Sequence, residues 1–264
     1  MKKSILILLC STVLLIVQSC KEGDKDDNTT ATSSASTTGS TFESGITYNS
    51  KGKLTLMFNP TFGAQAFELS PKSYVTAAAD TIRITQLTYY VSNVTLTTSA
   101  GNKINLGNYE LISQIPGQQA KVLLDSIPAG CYTSISYMIG VDSLANSTGV
   151  HTGALDPSYG MYWTWSTGYV FLRLKGRFTS QNTAYSFDIG GDGNVMNVNH
   201  DLSNYKTGGT ALTANINVDV AKFFNTPNKY DLKTDAIDIH SAGVPSIAKL
   251  KVNIANAFNI TAIQ

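Results

Sequence analysis

The feature that most constrains this chain is how its apolar residues are grouped after Leu54. They fall in short runs rich in β-branched and aromatic residues, separated by turns carrying Gly and Asn. Leu54–Phe58 opens the series, followed by Ile82–Val91 and Val94–Thr98, with Ser99-Ala100-Gly101-Asn102 as the next turn before Lys103–Leu106. Such composition suits pleated, half-buried strands. Further strands are expected at Tyr109–Ile112, Ala120–Asp125, Tyr132–Ile139, Tyr169–Phe178, Ala184–Ile189, Asn194–His200 and Ala214–Asp219. In Asn215–Val220 polar and apolar residues alternate strictly, as one buried face requires. Many short strands at this spacing predict a mostly β fold, an antiparallel β-sandwich. One segment breaks the pattern: Ile247, Leu250, Ile254 and Phe258 follow Pro245 at helical spacing. That seam predicts a single C-terminal helix on the sandwich, with Pro245 suited to a first helical turn. Residues 47–264 fit one domain of this class.

The first residues speak of export. Lys2 and Lys3 precede an apolar run from Ile5 to Val17, too short to span a bilayer comfortably but of signal-peptide length. It ends in Val17-Gln18-Ser19-Cys20, which resembles a lipobox. The expectation is a lipoprotein signal peptide over 1–19, cleavage before Cys20, and acyl chains on Cys20 that hold the protein to a membrane. Residues 20–46 are charged and then rich in Ser, Thr, Ala and Gly, so they read as a flexible tether. The charged stretch Lys21–Asp27 resembles the surface-export tags of Bacteroidetes lipoproteins, or is simply a solvated linker. An outer-membrane lipoprotein, facing the periplasm or the cell surface, is the expected location.

Cleavage changes two counts. Cys10 leaves with the leader and Cys20 is acylated, so Cys131 stands alone in the processed chain and reads as a small buried hydrophobe. Loss of Lys2 and Lys3 takes the 19 basic residues to 17 against 18 acidic ones. With no basic run, nothing in the sequence marks a nucleic-acid partner.

Enzyme signatures are absent: no nucleophile elbow, no phosphate-cradling Gly-rich loop and no two-His zinc helix. Three His residues (His151, His200, His240) and no Cys pair make a closed zinc site improbable. The expectation is a non-enzymatic protein. Gly191-Asp192-Gly193-Asn194 reads either as part of a calcium site or as a hairpin turn.

The most distinctive stretch runs from Ile139-Gly140-Val141-Asp142-Ser143 to Gly160-Met161-Tyr162-Trp163-Thr164-Trp165-Ser166-Thr167-Gly168-Tyr169, and it holds both Trp residues. On a strand, Trp163 and Trp165 would share a face, as an aromatic core anchor does. This run resembles the signature of the MbnP-like family of copper-binding periplasmic and surface proteins. Leu87–Asn93, Phe187-Asp188-Ile189-Gly190-Gly191 and the Ile237-to-Phe258 end are similar too, so the likeness covers roughly 53–260. The resemblance implies copper(I) held by His side chains and by a Trp oxidised to kynurenine by a di-haem cytochrome c peroxidase-like partner. Indole offers no free lone pair to a metal, whereas ring opening exposes a nitrogen that can coordinate. Carried onto this chain, Trp163 (or Trp165) would be the modified residue, with His240 and His200 as ligands. The position of Asp188 is often His in the family, and a carboxylate is a harder, poorer ligand for Cu(I). A copper-binding lipoprotein is one reading; the same fold without a metal site, acting in surface adhesion or assembly, is the other.

Overall fold

In the computed structural model the described residues are 41–42, 46–47, 51–114, 120–163, 168–207 and 211–264. Cys20, the leader, most of the tether and Trp165 lie outside them. A two-stranded ribbon, β1 (Thr41–Phe42) with β2 (Ile46–Thr47), precedes two larger sheets. The smaller of these centres on β3 (Lys51–Phe62), with β4 (Gln65–Ala66) at its end. The larger contains β5 (Tyr74–Val75), the long β6 (Thr81–Thr98) and β7 (Lys103–Ser113). The chain crosses back as β8 (Lys121–Pro128) beside β3, then returns as β9 (Gly130–Ile139) beside β6. A short helix α1 (Ser143–Ser147) follows, then β10 (Val170–Phe178), β11 (Thr183–Gly190) and β12 (Met196–Thr207) in the larger sheet. β13 (Ala211–Asp219) pairs with β3, and β14 (Asp238–Ile239) adds to β11. Helix α2 (Ile247–Ala255) and strand β15 (Phe258–Ile263) close the chain, β15 lying against β13.

The mostly β, two-sheet sandwich with a C-terminal helix agrees with the sequence reading, while several details differ from it, Lys103–Leu106 and Tyr109–Ile112 being one strand, β7. Ile82–Val91 and Val94–Thr98 are one strand: Asn93 sits at φ 52 inside β6, where the register shifts, so the break is a bulge rather than a turn. The seam past Pro245 ends at Ala255, and Phe258 opens a strand, because Phe258, Ile260 and Ile263 find a ladder on β13. Two ladders, β3–β13 and β11–β14, are parallel.

The core lies between the sheets. Phe58 from β3 meets Tyr89 of β6, Tyr137 of β9 and Phe258 of β15 edge-on, with ring centroids 6.1, 6.0 and 6.3 Å away. Edge-to-face contact suits the positive rim and negative face of aromatic rings. Ile247, Leu250 and Ile254 bury the inner stripe of α2. Cys131 is buried at the start of β9, as expected of a small hydrophobe, but it is disulfide-bonded, which corrects the expectation of a lone thiol.

One topological detail positions the site. Residues 88–89 of β6 pair with β7 and with β10, while 91–97 pair with β7 and with β9. A strand has two edges, so β9 and β10 share the edge opposite β7, end to end. β11 and β12 lie end to end beyond them, since β11 pairs with β10 and β12 with β9. Between Ile139 and Val170 the chain therefore leaves the sheet at a seam and returns to it. Gly140 makes the tight exit: its φ is +138, and a Cβ there would sit 3.0 Å from the Phe171 ring.

Candidate metal centre

The excursion through 140–169 covers the outer face of the larger sheet and forms a second, smaller core. Tyr90, Val141, Ala145, Leu155, Met161, Trp163, Tyr169, Val170 and Phe171 are buried together there. Tyr89 and Tyr90, adjacent on β6, serve the two cores on opposite faces. Asp142 caps α1 by accepting from the Ala145 amide at 3.2 Å. Met161–Trp163 and Gly168–Val170 bind each other as a small hairpin, through Trp163 N–H to Gly168 O at 3.0 Å and Val170 N–H to Met161 O at 2.9 Å.

Three side chains fasten this excursion to the turn after β11, and a fourth holds that turn to Ala242. Asp192 accepts from Ser143 Oγ at 2.6 Å and from Asn146 Nδ2 at 2.7 Å, while Asn146 Oδ1 accepts the Tyr169 amide at 2.7 Å. Asn194 Nδ2 donates to the carbonyls of Gly190 (2.8 Å) and Ala242 (3.0 Å). Both Asp192 oxygens thus accept hydrogen bonds within the protein, so this stretch acts as a brace between the loops.

Trp163 is 8% exposed and lies over Gly190. A Cβ on Gly190 would come within 2.8 Å of the indole Cη2 and 2.4 Å of the Tyr169 carbonyl, so the missing side chain is what seats the ring. Two residues earlier on the same strand, Asp188 is buried and faces away from the main core, since its neighbours Phe187 and Ile189 belong to that core. Arg173, directly opposite on β10, grips it at two points: Nε to Oδ1 and Nη2 to Oδ2, each 2.7 Å. The remaining Nη1 donates to the Gly160 carbonyl at 2.8 Å. His240 follows β14 and is half exposed, with Nδ1 3.5 Å from Asp188 Oδ2 and Nε2 2.6 Å from Asp238 Oδ1. A row of side chains in polar contact results: Arg173, Asp188, His240, Asp238.

A family model and a solved structure both match this chain. The family model described as MbnP matches residues 51–241. The chain belongs to the MbnP family. MbnP from Methylosinus trichosporium is similar in fold, with a TM-score of 0.55 at 13% identity, covering 80% of this chain and 99% of that one. No curated protein matches the chain.

Within this MbnP domain, the residues singled out as copper ligands separate into two groups. Trp163 and His240 both bear on the last residues of β11, Trp163 at Gly190 and His240 at Asp188. His200 does not join them. It lies on β12, beyond the Asp192–Asn194 turn, opposite Ile135, and its Nε2 is 3.0 Å from the Tyr137 hydroxyl. It is buried rather than solvent-exposed, and burial pulls its pKa below the ordinary histidine value. His151 ties the excursion to itself through Thr148 Oγ1 and Ala145 O, each 3.0 Å from Nε2.

The donor chemistry argues against a Cu(I) centre of the implied kind. Cu(I) favours soft donors, and the end of β11 offers one imidazole and two carboxylates. Asp188 is already held by a permanent cation that would repel a second one. Among the described residues, no group of three or more His, Cys, Asp or Glu side chains is arranged to hold a metal ion. Arg173 is the functional residue that sequence reading missed. Its signal was a charged residue inside the otherwise apolar run Val170–Leu174.

Proposed function

We propose that this MbnP-family domain is a membrane-anchored, extracytoplasmic, non-enzymatic binding module in which an ion pair closes the family's metal position. The two-point grip of Arg173 on Asp188 carries this reading, because it fills with a fixed guanidinium the place where a second soft ligand would be needed. The lipobox-like Val17–Cys20 supports lipid anchorage at Cys20 and an outer-membrane location. A contact role in adhesion or assembly belongs to this reading as the use of the domain without a metal.

Copper binding is the second reading. It is favoured by the convergence of Trp163 and His240 on one strand end, and it would require a di-haem partner to oxidise Trp163 or Trp165. Protein isolated from its own membrane fraction separates the two. The first reading expects both Trp masses unchanged and no stoichiometric copper. One copper per chain, lost in His240→Gln, would replace it with the second. Acyl labelling that persists in Cys20→Ser would overturn the anchor.

A further inference from the structure

Outside the site, the outer face of the larger sheet carries an electrostatic conflict. Arg173, Lys175 and Arg177 alternate along β10, so their side chains share one face. Arg173 is neutralised by Asp188, but the other two are not. Arg177 stands directly opposite Arg83 of β6, and Lys175 stands opposite Gln86. Arg83 and Arg177 are exposed and Lys175 is half-buried. Among the described residues no acid pairs with any of the three. The facing acids are engaged elsewhere, Asp188 by Arg173, Asp238 by His240 and Glu68 by Lys72.

Directly opposed like charges destabilise a sheet, with Cβ atoms about 5 Å apart. A local cost of this kind, uncompensated within the fold, marks a place kept for something other than folding. The arrangement is also partly built. Arg83 Nε donates to Ser73 Oγ at 3.0 Å, which orients that guanidinium. Two guanidinium forks and an ammonium on one face suit oxygens of a phosphate-type anion, which guanidinium groups take two at a time.

We infer that Arg83, Lys175 and Arg177 form an oxyanion-binding face for a phosphate-bearing polyanion. This is independent of whether the domain holds copper. The position favours a partner from the surroundings. Lys51, where the tether joins, pairs with Pro128 beside the start of β9, near the Thr98 end of β6, whereas Arg83 lies at the other end.

The test uses the full chain and two probes, inorganic tripolyphosphate and phosphatidylcholine vesicles containing phosphatidylglycerol. A triple variant, R83Q/K175Q/R177Q, is compared with K51Q/K103Q/K229Q, which removes the same charge from exposed lysines elsewhere. Salt-sensitive tripolyphosphate binding that weakens at least about tenfold in the first variant and less than about twofold in the second supports the face. Binding to these vesicles in excess of binding to phosphatidylcholine alone, lost in the same variant, assigns the anion to lipid headgroups; tripolyphosphate binding without that excess assigns it to a free polyanion. The first variant should also melt no lower than the parent, because it relieves the opposed charges. Binding absent for both probes, equal loss in the two variants, or a lowered melting temperature in the first overturns the inference.

Discussion

Arg173 holds Asp188 by two parallel hydrogen bonds of 2.7 Å and, with its third nitrogen, holds the Gly160 carbonyl. One side chain therefore joins β10, β11 and the excursion that carries the family signature. Replacing it with Leu leaves Asp188 buried without its counter-charge. The expected cost is about 3–5 kcal/mol, read by urea denaturation. Arg173→Lys should recover little, since an ammonium cannot bridge both carboxylate oxygens and Gly160 together. Full recovery by Lys would show that charge alone matters there.

Gly190 is required by its neighbours. A methyl group would strike both the Trp163 ring and the Tyr169 carbonyl, so Gly190→Ala should push Trp163 out of its seat. Expected readouts are a red-shifted Trp163 emission, measured with Trp165 replaced by Phe, and a loss of roughly 1–3 kcal/mol. An unchanged spectrum would mean that the ring does not rest on Gly190.

Phe58 joins the two sheets through Tyr89, Tyr137 and Phe258. Truncation to Ala opens a cavity between layers that cannot collapse independently, and should cost about 3–5 kcal/mol. Phe58→Leu should cost visibly less on the same denaturation curve.

His200 makes stability depend on pH. Burial lowers its folded pKa below the ordinary 6.5. As pH falls past 6.5 the unfolded chain takes up this proton before the folded one does, so stability is lost through that window and levels off below the folded value. His200→Gln, which can still accept from Tyr137, should flatten this part of the profile. Identical slopes for variant and parent would exclude His200 as the source.

The unequal legibility of the chain has physical causes. Strand runs such as Ala184–Ile189 and Ala214–Asp219 were readable because a half-buried strand alternates by itself, and they match β11 and β13 closely. Phe258 was misassigned because Ile254 and Phe258 suit a helix face as well as a strand start. The choice fell to β13, which offers Phe258 a ladder partner in Val218. The gap between Val91 and Val94 read as a break between strands and is a bulge at Asn93, a distinction made by the strands on either side. The signature stretch marked the place of the second core but not its contents. That Trp163 rests on Gly190 depends on a contact between residues 27 positions apart.

By itself, the sequence determined the β-rich class, the family, and the lipobox-like run ending in Cys20, because each is written in local order: alternation, motif, segment length. Tertiary structure decided which charged and aromatic groups meet. Asp188 could have been read as a weak ligand until β10 placed Arg173 opposite it. His200 could have been read as a partner of His240 until β12 carried it along the sheet to Tyr137. Pairing across a sheet depends on strand order and register. A single residue's neighbours in sequence say little about either, since each strand meets partners drawn from distant parts of the chain.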